Sequence, residues 1–102
     1  MARMEPVKAL QAIPGVGPRL ASVLVDLGYG RVEDLSYEDP EAMYERLCKM
    51  RGERVDRCVL YVFRCAVYFS GCRRPDPVLL KWWNWKDPLP GGLPRPPSHR
   101  LP

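Results

Sequence analysis

Histidine is almost missing from this 102-residue sequence, and the single one, His99, stands near the end. The part able to fold therefore offers no Ser-His or Cys-His pair for nucleophilic catalysis and no imidazole for general acid-base work. Carboxylates do not fill the gap. Glu33-Asp34 and Glu38-Asp39 read as charges at helix ends, and no group of acidic residues has metal-ligand spacing. The expectation is a protein that is no enzyme, with no cofactor and no metal site. Long apolar runs are missing too. The most apolar stretch, Cys58 to Phe69, is interrupted by Arg64 and falls short of the ~18–20 residues that cross a bilayer. The start, Met1-Ala2-Arg3-Met4-Glu5, lacks the apolar segment of a signal peptide, which points to a cytoplasmic protein with no membrane partner.

There are four cysteines, and their spacing excludes more than their number. Cys58, Cys65 and Cys72 recur every seven residues. On one helix they would stand about 10 Å apart along the axis, given a rise of ~1.5 Å per residue. Neither a disulfide nor one zinc ion collects sulfurs from such a lattice. Only Cys48 could pair with another, so reduced cysteines used as small apolar side chains are the expectation.

What is there is charge of both signs, unevenly divided. Residues 1–50 hold six Lys/Arg against eight Asp/Glu; residues 51–102 hold ten against four, so the net +4 comes from the second half. An acidic polymer would be attracted mainly there. The length gives one domain of modest core, with room for a binding surface.

The chain is organised around Ile13-Pro14-Gly15-Val16-Gly17-Pro18-Arg19-Leu20-Ala21. Two glycines one residue apart permit positive φ and a tip free of side chains, and Pro18 suits a first helical position. Leu20, Val23, Leu24 and Leu27 then recur at helical spacing. A glycine-rich turn opening a helix presents backbone N–H groups backed by the positive end of the helix dipole. Such an end receives an anion, and phosphate fits best.

In order, the chain predicts a helix over 5–12, the hairpin, and a helix over 18–27 closed by Gly28. A short helical turn over 31–35 follows, and then a helix opened by Asp39-Pro40 with Met43, Leu47 and Met50 inward. Arg51-Gly52-Glu53 is the next turn. A helix over 55–70 follows; its β-branched and aromatic content favours strand, but its length and lack of internal Gly or Pro favour a central helix. Asp76-Pro77 predicts a last helix over about 78–83. The domain is expected to span 1–86. Residues 87–102, rich in proline, are expected to be a disordered or extended tail. The fold class is all-α, two helix-hairpin-helix units joined by a connector helix, with a short Trp-rich C-terminal helix.

Three blocks sharpen this reading. Leu-Gln-Ala-Ile-Pro-Gly-Val-Gly-Pro at 10–18 is similar to the helix-hairpin-helix signature of DNA repair and recombination proteins. Asp-Arg-Cys-Val-Leu-Tyr-Val-Phe-Arg-Cys-Ala-Val-Tyr at 56–68 and Leu-Leu-Lys-Trp-Trp-Asn-Trp-Lys-Asp at 79–87 resemble a small bacterial "pathogenicity locus" family. Members of that family carry helix-hairpin-helix or mitomycin-resistance labels. The resemblance implies a tandem helix-hairpin-helix bundle (of the SAM/helix-hairpin-helix-like kind) and a link to DNA repair or damage resistance.

The candidate contacts to a DNA backbone are Gly15, Val16, Gly17 and Arg19 on the first hairpin, and Arg51, Gly52 and Arg54 on the second. Arg51, Arg54 and Arg57, spaced by three, would share one helix start, where cations hint at an outside anion. Such contacts are blind to sequence. The alternative is a hairpin that only turns the chain, in a module that docks a protein partner. Trp82, Trp83 and Trp85 read first as apolar anchors strapping the C-terminal segment to the core. The lysines around them leave open a base-stacking platform.

Overall fold

The helix at Arg57–Gly71, α4, carries the architecture. Its residues 60 and 62–68 are all buried, as expected of a helix surrounded by the rest of the chain. Asp56 starts it by accepting the Cys58 amide at 2.9 Å, which satisfies one of the donors a helix start leaves open. Burial on every side overrides the strand preference of its β-branched residues. A computed structural model describes residues 4–86; the tail expected at 87–102, with His99, lies outside the described residues.

Ahead of α4 come α1 (Met4–Leu10), α2 (Pro18–Asp26) and α3 (Pro40–Arg51), with a 3-10 turn at Val32–Leu35 between α2 and α3. Among the described residues every regular element is helical. Helix α1 packs on α2, and α3 on α4. Leu10, Ile13, Leu24, Leu35, Met43, Leu47, Leu60 and Phe63 meet in one core.

The helix boundaries follow from capping. Asp39 accepts the Glu41 amide at 3.0 Å ahead of Pro40, the first residue of α3. Both α2 and α3 close with the same bonding pattern. After α2, the Tyr29 amide reaches the Leu24 carbonyl and the Gly28 amide the Val25 carbonyl. After α3, Glu53 reaches Cys48 and Gly52 reaches Lys49. Gly52 takes φ +68 to do so, a left-handed conformation that costs a residue with a Cβ.

Three expectations are corrected here. Met50 does not face the core: it is 55% exposed in the last turn of α3, and the buried side of that helix is Met43, Tyr44 and Leu47. The C-terminal helix predicted over 78–83 is instead two 3-10 turns, Pro77–Leu80 and Trp82–Trp85, separated by extended Lys81. The Leu79 carbonyl that a continuing helix would use accepts the Trp85 indole N–H at 2.8 Å. The three tryptophans also divide their roles. Trp85 is fully buried against Tyr68, with ring centroids 5.6 Å apart, while Trp83 is 49% exposed. Trp82 is half-buried between them.

The segment is held by polar contacts as well. Tyr68 Oη accepts the Asp76 amide at 2.9 Å, and Arg64 Nη1 donates to the Trp85 carbonyl at 2.7 Å. Burying Trp85 is worth about 3 kcal/mol. All four cysteines are free: Cys65 is buried, Cys58 exposed, and Cys48 and Cys72 lie between.

Candidate nucleic-acid interface

The first hairpin is a β-turn of identifiable type. The Val16 amide donates to the Ile13 carbonyl at 3.1 Å. Pro14 and Gly15 (φ +85) lie between, the residue pair that a type II turn favours. Ile13 and Val16 point into the core on either side of the turn. Gly15 and Gly17 stay exposed. Gly17 is extended, with φ −92, and precedes Pro18 at the first position of α2.

This geometry removes one expected contact. Val16 is buried at 6% exposure and its N–H is already given to Ile13, so it offers no amide to an anion. The first bond into α2 is Ala21 to Gly17. The Arg19 and Leu20 amides are thus the open donors of the first helical turn.

The second turn differs. Arg51 ends α3, Gly52 and Arg54 lie in the connection, and Arg57 begins α4. The three arginines therefore do not share one helix start, because the chain reverses at Gly52 between the first and the second. Arg54 Nη1 lies 3.6 Å from Glu45 Oε2, both side chains well exposed. The Arg57 guanidinium stacks over the Tyr44 ring at 5.5 Å, and the Tyr44 hydroxyl donates to the Val55 carbonyl.

Between the two turns runs an open groove of about 710 Å³. Gly15 and Arg19, from the first turn and the start of α2, line it together with Arg51 and Val55, from the second turn and its approach to α4, and with Trp82. Leu20, Val23 and Val59 give its lining apolar surface, and Cys58 and Asp26 also reach it. Of the residues expected from sequence, the structure brings Gly15, Arg19 and Arg51 to one surface. Gly17 is exposed beside them. Gly52 and Arg54 are exposed on the second turn but do not line the groove.

Trp82 is the groove residue that sequence reasoning placed elsewhere. An added Cβ on Gly15 would lie 3.1 Å from Trp82 Cδ1, so the hairpin tip and the indole are in contact range. The signal available was the Lys-Trp-Trp run; what it lacked was the break at Lys81 that turns Trp82 toward the hairpin.

Chemically, the rim offers two guanidinium groups and first-turn amides, which suit phosphate. The walls offer half-buried apolar side chains and one aromatic ring. Among the described residues no group of three or more His, Cys, Asp or Glu could hold a metal ion, and no helix is long and apolar enough to cross a membrane.

No curated protein and no solved structure matches the chain. The model of the Pathogenicity locus family matches residues 3–88, which takes in the whole helical body just described, and the chain belongs to that family.

Proposed function

We propose that the chain is a cytoplasmic binding module, not an enzyme, that holds the DNA backbone without sequence preference through two helix-hairpin-helix units. The reading rests on one observation: Gly15, Arg19 and Arg51, from two separate turns, border the same groove. In this reading the Arg19 and Leu20 amides and the Arg19 side chain take one phosphate. Arg51, with Gly52 and Arg54 beside it, meets a second. The Arg54–Glu45 pair is no obstacle, since exposed pairs are worth at most about 1 kcal/mol. A role in DNA repair or damage resistance would follow from recognising backbone rather than bases.

The test is fluorescence anisotropy with short duplexes of unrelated sequence at about 50 and 200 mM salt. Two or three phosphate contacts weaken binding roughly ten- to fortyfold over that range. Equal affinity across sequences is the second expected result.

A second reading is favoured by Trp83 and Val78, large apolar side chains 49% and 53% exposed on the C-terminal turns. There the same fold docks a protein partner. An apolar interface of that kind would not weaken steeply with salt.

A further inference from the structure

The groove holds more than a phosphate needs. Backbone contact requires only surface cations and open amides, yet this groove is concave, about 710 Å³ in volume and lined largely by apolar side chains. That volume falls within the ~300–1,000 Å³ of sites that enclose an organic ligand. Leu20, Val23, Val55 and Val59 are all half-buried there, and a half-buried indole stands at the wall.

We propose that the groove receives an unpaired base of the bound DNA strand, stacked on Trp82, with Arg19 and Arg51 on phosphates either side of it. The inference rests on the DNA-binding reading and names its preferred substrate: DNA with a base outside the duplex stack. Charge selects this occupant over an apolar helix. Arg19 and Arg51 share the groove lining with one carboxylate, Asp26, and with apolar side chains, and a polyanion that carries flat apolar rings suits that mixture of surplus positive charge and apolar surface. Any base has a π-face that stacks on an indole regardless of sequence. A paired base cannot supply that face, because its neighbours cover it.

The contact between Gly15 and Trp82 fixes the ring beside the hairpin tip. Trp83 meets Trp82 edge-on, with centroids 5.8 Å apart, and does not itself line the groove. Base and phosphate of one nucleotide would thus be held by neighbouring parts of one surface.

The experiment is anisotropy with the full chain, comparing a labelled duplex with the same duplex carrying one bulged purine. The bulged DNA is expected to bind roughly tenfold tighter. Trp82→Ala should bring the ratio of the two affinities to about one, while Trp82→Phe keeps most of the preference. Quenching of tryptophan fluorescence by the bulged DNA reads the contact independently. It should survive in Trp83→Phe and disappear in Trp82→Phe. Equal affinity of the parent for both DNAs, or a preference and quenching that persist without Trp82, would overturn the inference while salt-sensitive duplex binding kept the parent reading intact. Loss of salt-sensitive binding to either DNA would overturn both.

Discussion

Arg64 sits inside the protein and joins Glu41, 23 residues earlier, to the Trp85 carbonyl, 21 residues later. Its Nη2 lies 2.8 Å from Glu41 Oε2, and its Nη1 donates to the Trp85 oxygen at 2.7 Å. One guanidinium thus ties the start of α3 and the C-terminal turns to the central helix. Its fork geometry allows both bonds at once. Glu41, in the first turn of α3, also complements that helix's dipole.

Replacing Arg64 by Met should cost about 2–3 kcal/mol, because the buried Trp85 carbonyl loses its donor and Glu41 loses its partner cation. Urea unfolding monitored by tryptophan fluorescence measures this. A red-shifted native spectrum is expected as well, since Trp85 is held by the same contact. An unchanged midpoint would mean that the clamp contributes nothing.

The two hairpin glycines should behave differently. Gly15→Ala meets both a positive φ and Trp82 Cδ1 at 3.1 Å, and should destabilise the fold by about 1–2 kcal/mol. At Gly17, φ is −92 and nothing lies within 4 Å of an added Cβ, so Gly17→Ala should leave the melting temperature within a degree or two. Thermal melts of the two variants decide this, and equal melting points would contradict the assigned turn.

Much of this architecture was legible in the sequence, for local reasons. Asp39-Pro40, Asp76-Pro77, Gly28 and Gly52 each act on neighbouring backbone, so their types alone announce where helical segments begin and end. The cap at Asp56 was missed, and the helix expected from 55 begins at Arg57. Gly15 likewise announced a turn. What was not legible depends on contacts between distant segments. Arg64 looked like a break in an apolar helix because neither Glu41 nor the Trp85 carbonyl lies near it in sequence. Met50 fits the helical period of α3, but the period alone does not say whether the last turn has a neighbour to pack on. Val16 was assigned to the site by its place between two glycines; the bond from its amide to Ile13 appears only once the turn type is known. Trp82 faces the groove because the chain breaks at Lys81, and propensity did not foretell that break.

Stability should fall at alkaline pH for two identifiable reasons. Burial, with the bond that the Tyr29 hydroxyl donates to Glu38 at 2.9 Å, pushes the Tyr29 pKa up to about 12 from an ordinary 10.0. Burial alone pushes the Cys65 thiol up to about 12 from 9.0. In both, the folded state binds the proton more tightly. Their contributions are therefore fully present below pH 9 and lost as pH rises through 9 to 12. Urea midpoints across that range should fall, and Tyr29→Phe should flatten the decline above pH 10. A thiol reagent at neutral pH should label exposed Cys58 and leave Cys65 untouched until unfolding. A midpoint that holds level to pH 12 would contradict both assignments.

The groove shared by two turns is the centre of the functional account, and the slope of log K against log salt for duplex DNA tests it most directly. The parent chain should show a slope of about −2 to −3, and the double variant Arg19→Ala/Arg51→Ala a slope shallower by about 1.8, at ~0.9 for each phosphate contact removed. A parent slope near zero, or a double variant whose slope matches the parent's, would contradict it.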